Sequence, residues 1–131
     1  MINIVLDTNI IISAALSQGG NPAKIIFLAC NDVKFQMIYA VEILAEYDRV
    51  LSYKKLNISN EKKNWAINLI EREGTIITPP ASIFPMPDES DRIFYDTAKA
   101  SNAILITGNL RHYPDEPFIM TPSDFLAKVG N

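Results

Sequence analysis

Apolar and polar positions along the chain change period repeatedly, and each change marks an element. Ile2, Ile4, Val5 and Leu6 form a short apolar run that stops at Asp7, the pattern of a buried strand. Residues 10–16 are apolar and lead into Gln18-Gly19-Gly20-Asn21, a cluster that breaks regular structure. Asn21-Pro22 opens a helix to about Cys30, with Asn as cap and Pro at the first position. Phe35 to Ile38 is a second strand. Residues 40–51 read as a helix with apolar stripes at 41, 44, 51 and at 43, 47, 50; Glu42, Glu46 and Arg49 share the remaining face. Asn60 starts another helix, with Trp65, Ala66, Leu69 and Ile70 on one side and Gly74 as its stop. Thr75 to Thr78 predicts a third strand, and the proline-rich stretch from Pro79 to Asp88 a loop. Ser90 to about Ala100 is a helix, and Ala103 to Ile106 a fourth strand followed by Thr107-Gly108-Asn109. Pro117 to Met120 gives a short fifth strand, and Thr121-Pro122 starts a final helix.

Strands alternate with helices throughout. That order predicts a parallel sheet of about five strands with helices on both faces, a three-layer α/β/α sandwich. In such sheets ligands lie outside the carboxyl ends of the strands, at a topological switch point. The residues that follow each strand are therefore the candidates for chemistry.

Composition narrows the class. The 131 residues suit one domain spanning 1–131. At 48% apolar and 21% charged the chain is an ordinary globular sequence, which excludes a disordered or fibrous protein. The longest apolar run, Ile25 to Cys30, is far short of the roughly 18 residues of a membrane span. No basic stretch precedes an apolar one at the N-terminus, so no signal peptide is expected. A single cysteine, Cys30, fits a reducing cytoplasm and an inert core thiol, and with one histidine it excludes zinc fingers. The net charge of −3 argues against nucleic-acid binding by phosphate contacts alone, unless the acids hold divalent cations.

The acids fall at suggestive places. Asp7 ends the first strand with no Lys or Arg nearer than Lys24, so it is either a helix cap or part of a functional site. Glu42 and Glu46 read on their own as a solvated helix face, with Arg49 able to relieve one of them. Asp88, Glu89 and Asp91 crowd a helix start beyond what capping requires. Asp96, between Arg92 and Lys99, reads as an ordinary surface ion-pair member. Asn109 sits in a turn and offers a neutral oxygen ligand. Asp7, Asn9, Asp91 and Asn109 all come from strand ends or helix starts converging on one sheet edge. Mg²⁺ needs only a few such oxygens, and there it can activate a water and neutralise a phosphodiester. His112, the only histidine, invites a general-base role that metal activation makes unnecessary. Lys54-Lys55 and Lys62-Lys63 read as solvated lysines within reach of phosphate, with no aromatic platform for base stacking.

Taken together these motifs resemble those of the PIN-domain nucleases. Val5-Leu6-Asp7-Thr8-Asn9 resembles the family's opening motif, and residues 42–51 resemble the second, with Glu46 at the acidic position. Asp88-Glu89-Ser90-Asp91, with Ala98 seven residues on, resembles the third, with Asp91 as its acid. Ile104-Leu105-Ile106-Thr107-Gly108-Asn109 resembles the fourth, and residues 108–114 resemble the end of one subgroup of toxins. The resemblance spans essentially the whole chain. It implies a five-stranded α/β/α sandwich and cleavage of single-stranded RNA with Mg²⁺ or Mn²⁺. It places catalysis on Asp7, Glu46 and Asp91, metal on these and Asn109, and support on Thr8, Asn9, Asp88 and Thr107. A cognate antitoxin is the implied protein partner, and a homodimer is a further candidate assembly. Many members carry Asp where this chain has Asn109. A neutral amide draws a cation less strongly and cannot act as a base, so one metal, or a weaker second one, is expected.

Two other enzyme classes fail on particular residues. A haloacid-dehalogenase-type phosphatase needs a second Asp where this chain has Asn9, and a dinucleotide-binding fold needs a glycine-rich turn where it has Thr8-Asn9-Ile10. The alternative reading is a PIN-like RNA- or protein-binding module with a weakened metal site. Asn109 favours it, and the intact acids Asp7, Glu46 and Asp91 oppose it.

Overall fold

The computed structural model describes residues Met1–Gly130. Strand β1 (Ile2–Leu6) is apolar at nearly every position because both of its faces are covered; Ile4, Val5 and Leu6 are buried. Helix α1 (Thr8–Leu16) follows after one residue, and α2 (Asn21–Asn31) leads to β2 (Phe35–Tyr39). Helix α3 (Val41–Leu51) and α4 (Asn60–Glu73) precede the two-residue β3 (Thr75–Ile76). After the proline-rich loop, a turn of 3₁₀ helix at Glu89–Asp91 runs into α5 (Arg92–Ser101). The chain closes with β4 (Ile104–Ile106), β5 (Ile119–Met120) and α6 (Pro122–Lys128).

The sheet is parallel throughout, in the order β3-β2-β1-β4-β5. The chain winds outward from β1 to β3, then crosses back to pair β4 with the other side of β1. That reversal sets the switch point between β1 and β4, so Asp7 and Thr107 leave the sheet side by side; Leu6 is in register with Ile106. Helix α5, in the crossover, lies against β1, β2 and β4, while α1 packs on α2, α3 and α4. Phe94, Tyr95, Ile4, Ile10, Ile25, Ile43, Tyr47, Leu105 and Phe125 are almost fully buried, each worth roughly 1.5–3 kcal/mol of transfer free energy.

Several local expectations shift on contact with the tertiary structure. The buried stripe of α3 is Ile43, Tyr47 and Leu51, whereas Val41 is exposed. Helix α2 begins at Asn21 itself, with Gly20 in the cap position and no side-chain cap. Helix α4 is capped by Ser59, which accepts from the Lys62 amide, and its Trp65 points largely to solvent. Cys30 is half-buried rather than a core thiol, and burial raises its pKa. Lys62 stays exposed, with a long 3.5 Å contact to the Ala15 carbonyl, whereas Lys63 is partly buried and pairs with Asp48.

Asp96 overturns its sequence reading most clearly. It is 5% exposed, and its Oδ2 accepts from the Ser82 backbone amide at 3.0 Å. Arg92 turns to Glu89, Ser82 and Phe84, and Lys99 to Glu116. Asp96 therefore anchors the proline-rich loop to α5.

Gly74 ends α4 where the chain meets β2. A Cβ there would stand 2.6 Å from the Ile70 carbonyl oxygen and 2.9 Å from the Tyr39 ring, with backbone on one side and a buried aromatic on the other. Gly74→Ala is expected to destabilise the protein by about 1–3 kcal/mol in urea denaturation.

Candidate active site

The site is built on the two adjacent strand ends. Asp7 is 4% exposed and caps α1, its Oδ1 accepting from the Thr8 amide at 2.7 Å. Its Oδ2 accepts from Thr107 Oγ1 at 2.7 Å and from Asn9 Nδ2 at 3.2 Å. The cap and the site are thus one structure: N–H and O–H dipoles solvate a carboxylate that no cation among the described residues pairs with. Asn9 closes the cradle by accepting from the Gly108 amide at 3.0 Å, and the Asn109 amide donates to Thr107 Oγ1 at 3.0 Å. Thr8, Asn9 and Thr107 therefore hold Asp7 between β1 and β4.

Helix α3 delivers the second acid. Thr8 Oγ1 donates to Glu46 Oε2, which joins Glu46 to Asp7 through one residue. Arg49 lies 3.7 Å from Glu46 Oε1, so Glu46 and not Glu42 is the acid that arginine relieves. Next to Glu46, Tyr47 is buried and its hydroxyl donates to the Leu6 carbonyl at the end of β1. That bond fixes α3 against the strand that carries Asp7.

The third acid comes from the junction of the 3₁₀ turn and α5. Asp88 caps that turn through the Ser90 amide and hydroxyl, and those bonds hold its carboxyl below the usual range. Asp91 ends the turn and is 8% exposed. Its carboxyl is pushed up to about 6 by burial first, then by the charges of Asp7, Asp88 and Glu46, with His112 working the other way. Among the described residues Asp91 Oδ2 has no hydrogen-bond partner.

Two residues join this group that the sequence reading left outside the site. His112 Nδ1 stands 3.1 Å from Asp91 Oδ2, and ligand atoms of Asp88, Asp91 and His112 lie within 4.8 Å of one another. The Asn109 side chain reaches His112 Nε2 at 2.8 Å. Tyr113 is buried with an unpartnered hydroxyl, and its pKa is driven up by burial, then by the charges of Asp7 and Asp91. The acids of separate segments therefore share one electrostatic environment. Among the described residues Asp88, Asp91 and His112 are the acids and histidine close enough to share one ion, while Asp7 and Glu46 are joined to each other through Thr8.

Residues 3–111 match the family described as PIN domain. This chain belongs to the PIN-domain family. An uncharacterized protein of Methanocaldococcus jannaschii, MJ1680, is 32% identical over 111 residues, covering 82% of this chain and 71% of that protein. The fold is similar to VapBC2 from Rickettsia felis, solved bound to a DNA fragment from their promoter, with TM-score 0.59 and 19% identity over 92% of this chain and 97% of that one. It is also similar to PAE2754 from Pyrobaculum aerophilum, with TM-score 0.62 and 10% identity over 98% and 89% of the two chains. In this PIN domain the four sequence motifs fall at the β1 end, on α3, at the start of α5 and after β4.

Proposed function

We propose that this PIN domain is a metal-dependent ribonuclease that cleaves single-stranded RNA, acting as the toxin of a cytoplasmic toxin–antitoxin pair. The observation that carries the reading is the strained carboxyl of Asp91, buried and unpartnered beside Asp88 and under the charges of Asp7 and Glu46. Carboxylates held together against their own repulsion suit a divalent cation. Asp7, Glu46 and Asp91 would hold Mg²⁺ or Mn²⁺, with Asn109 at the margin. When bound, such an ion neutralises charge on a phosphodiester and lowers the pKa of a water. The chain's own part is to fix the acids: Thr8 links Asp7 to Glu46, Thr107 and Asn9 orient Asp7, and Tyr47 holds α3 to β1. The antitoxin partner is supported by the fold shared with VapBC2 and by the residue 108–114 pattern; the homodimer rests on the family resemblance alone.

Millimolar Mn²⁺ is expected to raise the melting temperature, since the ion binds the assembled cluster and not the unfolded chain. Cleavage of a fluorescent single-stranded RNA should depend on the same ion. No thermal shift up to tens of millimolar would favour the second reading, a non-catalytic binding module, for which Asn109 is the support.

Asn109→Asp adds a full charge beside the cluster. It is expected to tighten Mn²⁺ binding about tenfold, or about 1.4 kcal/mol, by isothermal titration calorimetry. The metal-free variant should melt lower than the wild type. Unchanged affinity and unchanged melting would reduce Asn109 to a turn residue.

A further inference from the structure

We propose that His112 is a metal ligand, forming with Asp88 and Asp91 a mixed imidazole–carboxylate corner that selects Mn²⁺ and similar transition ions over Mg²⁺. The inference rests on the metal-dependent reading above and extends it to His112, which lies outside the four family motifs. Three observations converge on it. Ligand atoms of Asp88, Asp91 and His112 come within 4.8 Å of one another. The Asp91 side chain is only 12% exposed, yet among the described residues its Oδ2 closes no hydrogen bond even though His112 Nδ1 is only 3.1 Å away. Tyr113, the next residue, buries its hydroxyl in the same acidic surroundings, under the charges of Asp7 and then Asp91.

A nitrogen and an oxygen 3.1 Å apart without hydrogen-bond geometry have the separation of neighbouring ligands on an octahedral ion, since bonds of about 2.1 Å put adjacent donors roughly 3 Å apart. No other polar atom among the described residues satisfies that oxygen. The imidazole changes the selectivity of the site. Mg²⁺ favours carboxylate, carbonyl and water oxygens, whereas imidazole nitrogen suits later divalent ions, whose affinity rises along the first transition row.

Asn109 gains a role in the same arrangement. Its side-chain amide stands 2.8 Å from Nε2, and with the nitrogen on that side it donates to a ring whose proton is on Nδ1. A metal at Nδ1 requires that proton on Nε2 instead, with an acceptor for it. The amide meets both states, because a half-turn about its last torsion presents Oδ1 where Nδ2 stood. An aspartate at this position could only accept. The neutral residue where many family members carry Asp is thus matched to the histidine three positions on.

The experiment is pulsed electron paramagnetic resonance of Mn²⁺ bound to the untagged wild-type protein, which has a single histidine. Modulation from one directly bound nitrogen is expected, and it should vanish in His112→Gln. By calorimetry that substitution should weaken Mn²⁺ about tenfold while leaving Mg²⁺ nearly unchanged. His112 is almost half exposed, so the variant should fold, and circular dichroism checks it. His112→Asn serves as a second variant. Mn²⁺ binding without nitrogen modulation would overturn the imidazole ligand while leaving the ribonuclease reading intact. Nitrogen modulation without RNA cleavage would sustain the ligand and remove the ribonuclease. Failure of every divalent ion to bind would remove both.

Discussion

Replacing Asp7 by asparagine is expected to abolish Mn²⁺-dependent RNA cleavage, by a factor of about a thousand or more, while the protein stays folded. The site loses a full negative charge at the one position where β1 and β4 present their ends together. The structural cost is small by comparison. The amide oxygen of the new side chain can still accept from the Thr8 amide, and the Thr107 hydroxyl can turn to accept from the new amide nitrogen. The bond from Asn9 Nδ2 is lost, because Asn9 cannot turn over without giving up the Gly108 amide held by its Oδ1. One hydrogen bond is worth about 1 kcal/mol, and relief of repulsion on Asp91 offsets part of it. Cleavage assays on matched preparations, with circular dichroism as the folding control, check this. Equal activity in both would trace the cleavage to a contaminant or to another site.

The parts of this arrangement that a linear reading reaches are those with a local cause. A run such as Ile4-Val5-Leu6 broken by Asp7 has one economical solution, a covered strand whose end is polar, and the parallel alternation then places Asp7 at the sheet edge. The cap bond from Asp7 to Thr8 follows from the same junction. Glu46 is different: by spacing alone it belongs to a solvated face with Glu42, and only the bond across thirty-eight positions from Thr8 separates the two. Asp96 fails for the reverse reason. Its neighbours at i−4 and i+3 are cationic, but the proline-rich loop returns over α5 and offers the Ser82 amide, which takes the carboxylate inside. His112 is set aside as a general base on sequence grounds; its partner Asp91 comes from a segment twenty-one positions earlier, brought near by the crossover from β3 to β4. Side chains governed by strand ends are legible early; those governed by crossovers and returning loops are not.

Asp91→Asn is expected to stabilise the metal-free protein at pH 7.5 and to leave it unchanged near pH 4. The carboxyl titrates at about 6 in the folded chain, through burial and then the charges of Asp7, Asp88 and Glu46, against about 3.9 when unfolded. Well below pH 4 it is protonated in both states and costs nothing. Between pH 4 and 6 the unfolded chain ionises first, so the stability contributed by the protonated form is lost as pH rises through the folded value. Above that the folded protein carries a buried carboxylate under repulsion, on the order of 2 kcal/mol after solvent screening. An amide at position 91 is neutral throughout. The Asp91 side chain makes no cap bond for α5, so the substitution removes no helix cap. Thermal melts in chelator should therefore show the variant roughly 8 °C above the wild type at pH 7.5, with the gap closing toward pH 4. Millimolar Mn²⁺ should reverse the order at pH 7.5, because the carboxylate that strains the empty cluster is the one a cation stabilises. A gap that stays constant from pH 4 to 8 would mean that Asp91 is not strained, and with it would go the argument that these acids are assembled for a metal.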